Sequence, residues 1–109
     1  YREEYWIAVQ GDNLPGGLDW SVFDWAVNSG TGRSARTLQK IVGAKVDGDI
    51  GPNTLAAVRK FEAASLIDDM YYRRQAFYQR LKTFETFGSG WARRNSETRE
   101  QAHQLELAS

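Results

Sequence analysis

A chain of 109 residues with 41% hydrophobic and 13% aromatic content is sized for one domain that buries a core without disulfide staples. Fourteen basic residues balance fourteen acidic ones, so no overall field draws the chain to nucleic acid or to an anionic membrane. The lack of cysteine removes disulfides, thiolate metal ligands and a thiol nucleophile, and no run is apolar enough to span a membrane or to act as a signal peptide.

Taken in chain order, Tyr1–Gln10 has helical spacing, with Tyr1, Tyr5, Ala8 and Val9 near one face. Two turn clusters follow, Gly11-Asp12-Asn13 and Pro15-Gly16-Gly17. A second helix is expected from about Leu18 to Asn28. Leu18, Val22, Trp25 and Ala26 form its apolar stripe, widened by Phe23 and Val27. Gly30 suits a left-handed C-terminal cap, and Thr31 suits the N-cap of the next helix.

The third helix, Gly32–Val42, turns Ala35, Leu38, Ile41 and Val42 inward and Arg33, Arg36 and Lys40 outward, and Gly43 closes it. Asp47-Gly48-Asp49-Ile50-Gly51 is a tight turn in which Ile50 can plug the core. Pro52 fits the first position of a fourth helix, where its missing N–H leaves nothing unpaired. Leu55, Val58 and Phe61 would face inward from it.

Ser65–Lys82 is the longest expected helix, opened by a box of Ser65 and Asp68. Its stripe is aromatic-rich: Ile67, Met70, Tyr71, Arg74, Phe77, Tyr78 and Leu81. Gly88-Ser89-Gly90 is expected to break the chain before a charged final helix from Trp91 to about Leu105. The basic run Arg73, Arg74, Arg80, Lys82, Arg93 and Arg94 is read as a solvated helix face. No segment alternates with period two for long enough to argue a strand. The fold class is therefore all-α, one domain over residues 1–109 with about six helices and short connections.

Metal chemistry fails on ligand spacing. Asp47 and Asp49 resemble the opening of a calcium loop, but Pro52 stands where the loop needs glycine and Val58 where it needs a bidentate glutamate. The lone histidine, His103, cannot build a zinc site or a hydrolytic triad and reads as a surface residue. No metal and no cofactor is expected.

Asp24 stands one turn before Asn28 on the same helix face, so the pair binds sugar hydroxyl and N-acetyl groups, caps the neighbouring helix or simply faces water. Glu3-Glu4 reads as a helix N-terminal dipole pair, and neither it nor Asp24 sits where a pKa is clearly raised, as a general acid requires. Trp6, Trp20, Trp25 and Trp91 serve either as core or as stacking platforms for sugar rings. Trp20 and Trp25, five residues apart on one helix, cannot face the same way, so one is expected at a surface or cleft.

An ordered set of motifs covers most of the chain: Tyr5-Trp6, Gly11-Asp12-x-Leu14-Pro15-x-Gly17-Leu18-Asp19, and Phe23-Asp24-x-Ala26-Val27-Asn28-Ser29-Gly30. It continues with Leu38-Gln39, Asp47-Gly48-x-x-Gly51-Pro52-x-Thr54-Leu55 and Phe87-Gly88-x-Gly90-Trp91-x-Arg93-Arg94. The chain thereby resembles the C-terminal, predicted peptidoglycan-binding region of the glycoside hydrolase family 108 N-acetylmuramidases, lysozyme-like enzymes of bacteria and their prophages. The Leu38-Gln39 to Thr54 portion is also similar to the helical repeats of common peptidoglycan-binding modules.

The resemblance implies a lysozyme-like C-terminal lobe whose parent hydrolyses the β-1,4 bond between N-acetylmuramic acid and N-acetylglucosamine. The family's catalytic glutamate lies in an N-terminal Glu-Gly-Gly segment, which does not occur here. With Tyr1 first and Met70 the sole methionine, upstream sequence is expected to be missing, and this chain alone is expected not to cleave peptidoglycan. The implied partners are peptidoglycan glycan strands and the N-terminal catalytic segment of the same parent, without nucleic acid or membrane insertion. The implied location is the bacterial envelope or periplasm, or the wall reached by a phage-encoded protein. Asp24, Trp25, Asn28 and Ser29 are the expected substrate-binding residues. The rival reading is a stand-alone helical module that binds cell wall or protein.

Overall fold

Helix α2 (Leu18–Ser29) is the element around which the others assemble; it touches α1 (Arg2–Ala8), α3 (Thr31–Val42), α5 (Ala63–Gln79) and α6 (Phe84–Ala108). The computed structural model describes residues 2–80 and 84–108, with backbone alone for Arg2 and residues 84–89. A 3₁₀ turn, Gly11–Asn13, leads into α2, and the short α4 (Pro52–Val58) packs against α3. The six helices match the all-α expectation, and the described residues contain no strand.

The core follows the helical stripes. Leu18, Val22, Trp25 and Ala26 from α2 meet Ala35, Leu38 and Val42 from α3, and Leu66, Ile67 and Met70 from α5. Ile50 enters this core from the turn before α4, and Ala102 closes it from α6. Burial of side chains this size stabilises by roughly 1.5–3 kcal/mol each, which is the main force holding such short helices.

Gly30 alone joins α2 to α3. Its φ of 101° and ψ of 146° end one helix and cap the next, so Thr31 is the first helical residue rather than the cap. α5 begins at Ala63, two residues earlier than expected, with Glu62 as an N-cap that makes no side-chain bond. Asp68 therefore does not complete a capping box; its carboxylate meets His103 Nε2 at 2.8 Å. Phe61, expected inside, is 45% exposed because α4 ends at Val58 and the chain turns away.

The expected break at Gly88-Ser89-Gly90 is absent. α6 runs unbroken through it from Phe84 to Ala108. A glycine inside a helix costs about 1 kcal/mol relative to alanine. The long seam with α5 outweighs that: Asn95, Thr98 and Ala102 recur at helical spacing and are all buried, and the Trp91 ring lies 5.3 Å from that of Tyr78. Leu81 and Lys82 lie outside the described residues.

Candidate functional site

Asp24 sits on α2 and is 7% exposed. Arg74 Nη1 of α5 donates to its Oδ2 at 2.9 Å, Arg94 Nη2 of α6 donates to its Oδ1 at 3.0 Å, and the Thr98 hydroxyl donates to Oδ2 at 2.9 Å. Burial opposes ionisation of this carboxyl, but the hydrogen bond and charge of Arg74, then the bonds from Arg94 and Thr98, outweigh it and hold the pKa below the ordinary carboxylate value. Arg74 Nε donates in turn to the Tyr78 hydroxyl at 2.8 Å. Three helices are thus tied at one buried charge.

This arrangement corrects two expectations. Asp24 spends its oxygens on protein donors and is not offered to a ligand. Arg74, only 2% exposed, belongs to this hub rather than to a solvated basic face, whereas Arg94 stays solvent-exposed while reaching the hub with one guanidinium nitrogen.

Trp25, also expected to face substrate, is 2% exposed and packs on Phe77 with ring centroids 6.2 Å apart. Of the Trp20 and Trp25 pair, the outward member is Trp20. Its ring lies 5.9 Å from Phe23, which is 5.4 Å from Trp6, and its Nε1 donates to Gln101 Oε1 at 3.1 Å.

Asn28 and Ser29 occupy the last turn of α2, with Asn28 exposed and Ser29 half-buried. The Ser29 hydroxyl donates to Asn28 Oδ1 at 3.2 Å. Among the described residues Asn28 Nδ2 has no hydrogen-bond partner, so its two donors are available to a carbonyl acceptor. Of the four expected site residues, these two are the ones whose polar groups reach the surface.

The turn after α3 is organised by a residue sequence reasoning named only as part of a motif. Gln39 is fully buried. Its Nε2 faces Asp47 Oδ1 at 2.8 Å, the Asp49 carbonyl at 2.8 Å and Thr54 Oγ1 at 3.2 Å, while its Oε1 accepts from the Asp47 and Gly48 N–H groups at 3.1 and 2.9 Å. Gly48, at a φ of 82°, supplies the left-handed residue that lets both N–H groups converge. The backbone N–H of Asp49 and the Gln39 amide hold the Asp47 carboxyl below its ordinary pKa. The Leu38-Gln39…Asp47-Gly48…Thr54 pattern is one hydrogen-bond clamp centred on Gln39.

The pKa of the Asp19 carboxyl, on which sequence reasoning made no statement, is raised above its ordinary value. Burial lifts it, against hydrogen bonds from the Trp20 and Gly17 N–H groups that favour the charge. Those bonds, at 2.6 and 3.1 Å, tie it to the start of its own helix, a structural role. Among the described residues no group of three His, Asp or Glu side chains is placed to hold a metal ion.

Residues 33–96 match the family model described as Predicted Peptidoglycan domain. The chain belongs to this family. Ahead of the peptidoglycan domain, residues 1–30 match the model described as Glycosyl hydrolase 108. SagA of Brucella abortus is similar in structure, with a TM-score of 0.94 and 46% identity over 97% of this chain. The chain spans 61% of the SagA chain. No curated protein matches it. The division between the two models falls at Gly30, inside the folded unit, and Asp24 lies on one side of it while Arg74 and Arg94 lie on the other.

Proposed function

We propose that this chain is the peptidoglycan-binding region of a lysozyme-like N-acetylmuramidase. One observation carries the reading: a carboxylate from the Glycosyl hydrolase 108 segment is neutralised by two arginines of the peptidoglycan-domain segment. A binding module merely strung beside an enzyme would have a linker at that boundary. Here the two segments share a core, which supports a single body that presents the wall to a catalytic partner segment.

In this reading the parent hydrolyses the β-1,4 bond between N-acetylmuramic acid and N-acetylglucosamine. The general acid that protonates the leaving oxygen is a glutamate of a Glu-Gly-Gly segment, absent from residues 1–109. The chain acts at the cell wall. Asn28 and Ser29 contact the glycan strand: the Asn28 amide donates to N-acetyl carbonyls and the Ser29 hydroxyl engages sugar hydroxyls. No helix among the described residues is long and apolar enough to cross a membrane.

Sedimentation with insoluble peptidoglycan tests the reading. The chain should pellet with the wall, and Asn28→Ala together with Ser29→Ala should leave more of it in the supernatant. A chain that stays in solution at every wall concentration would refute the binding role. Incubated with purified walls, it should leave turbidity unchanged; clearing would place the general acid within these 109 residues.

A further inference from the structure

Between α3 and α5 lies a cleft of about 430 Å³, within the range of small-ligand sites. It is lined by Phe77 above the buried Trp25, by Arg33, Arg36 and Lys40 from α3, and by Arg73 and Arg80 from α5. No aspartate or glutamate lines it among the described residues. In a chain of zero net charge, this concentration of cations is local.

The two walls have matching periods. Arg33, Arg36 and Lys40 stand at i, i+3 and i+7, and Arg73, Phe77 and Arg80 at i, i+4 and i+7, so each wall is a rail about 10 Å long. None of the five cations forms an ion pair among the described residues. Arg36 leans toward Gly48, yet neither Asp47 nor Asp49 comes within ion-pair distance of it. Arg33 is held with its guanidinium 4.2 Å from the centre of the Phe77 ring, which fixes one cation over that aromatic face.

Sugar rings are uncharged and call for aromatic faces and amides. Five cations without an ion pair among the described residues call for anions. We propose that this cleft binds the carboxylate-bearing peptide stem of peptidoglycan, so that the chain reads the peptide through the α3–α5 cleft while the end of α2 contacts the glycan. This rests on the peptidoglycan-binding reading above. The length supports a peptide: about three extended residues span 10 Å, enough to set two or three carboxylates along the rails. A longer polyanion would outrun the cleft.

The test is calorimetric titration of the 109-residue chain with a soluble stem tetrapeptide, its fully amidated analogue, a chitin tetrasaccharide and inorganic polyphosphate. The free-acid peptide should bind, more weakly at raised ionic strength, and the amidated analogue should bind far less well. The double variant Lys40→Gln, Arg73→Gln removes two exposed charges without touching the core. It should lose affinity for the peptide by about tenfold and keep its thermal midpoint and its affinity for chitin oligosaccharide. Equal affinity for acid and amidated peptides, an unaffected double variant, or tighter binding of polyphosphate would each overturn the assignment. Sedimentation separates the two proposals. A chain that fails to pellet with intact wall sinks the peptidoglycan reading itself, whereas one that pellets equally with intact wall and with chitin, which carries no carboxylate, sinks only the cleft.

Discussion

Arg74 reaches Asp24 at 2.9 Å across a sequence separation of fifty residues, and both side chains are almost wholly shielded from water, at 2% and 10% exposure. Arg94 and Thr98 donate to the same carboxylate, one to each oxygen. A buried ion pair contributes little beyond an apolar replacement, but half of one is expensive.

Asp24→Asn removes the negative charge and leaves Arg74 buried without its counter-ion. The variant should lose about 3–5 kcal/mol of unfolding free energy in urea denaturation. An unchanged midpoint would show that the hub is not a structural tie.

The same pair sets an acid limit. The Asp24 pKa is lower folded than unfolded, so between the two values the unfolded chain binds more protons. Its stabilisation is complete above the unfolded value, about 3.9, and is lost as pH falls through the lower folded value. The wild-type chain should therefore lose stability below about pH 4 more steeply than Asp24→Asn, as followed by denaturation across an acid series.

Gln39→Ala should unfasten the turn before α4. It strands the Asp47 and Gly48 N–H groups and opens space next to Ile50 and Thr54. A loss of about 2–4 kcal/mol is expected. Hydrogen exchange at the Asp47 and Gly48 amides should accelerate well beyond that at amides in α2.

Two glycines of positive φ give a controlled comparison. At Gly17, with φ of 90°, an added Cβ would lie 2.3 Å from the Ala102 carbonyl and 2.8 Å from the Glu106 backbone nitrogen. At Gly30, with φ of 101°, nothing lies within 4 Å. Gly17→Ala combines backbone strain with a collision against α6 and should cost about 3–5 kcal/mol, against about 1–2 for Gly30→Ala. Thermal unfolding of the two variants checks the ordering.

The helical stripes of α2, α3 and α5 were legible because each buries one face, and the period of the apolar residues reports that face directly. Arg74 was visible in the α5 stripe, where a cation among apolar positions signals a buried anion somewhere in the fold. Its partner, fifty residues earlier, was not readable, because spacing along one helix says nothing about which helix packs opposite. The same gap hid the role of Trp25: its stripe position marked burial, while the motif around it suggested contact with sugar. Gly88-Ser89-Gly90 misled in the opposite direction, since local breaker residues report the cost of a helix and not the tertiary seam that outweighs it. Arg33, Arg36 and Lys40 were correctly turned outward, but a single helix could not reveal that a second rail of arginines faces them.

Gly30 finally bears on grafting. A junction of one residue has no slack to absorb an insertion, and the carboxylate on its upstream side depends on cations from its downstream side. Either segment grafted onto a stranger would arrive with an orphaned charge. A chimera cut at this junction would therefore keep both helices and lose the charge pairing that fastens them.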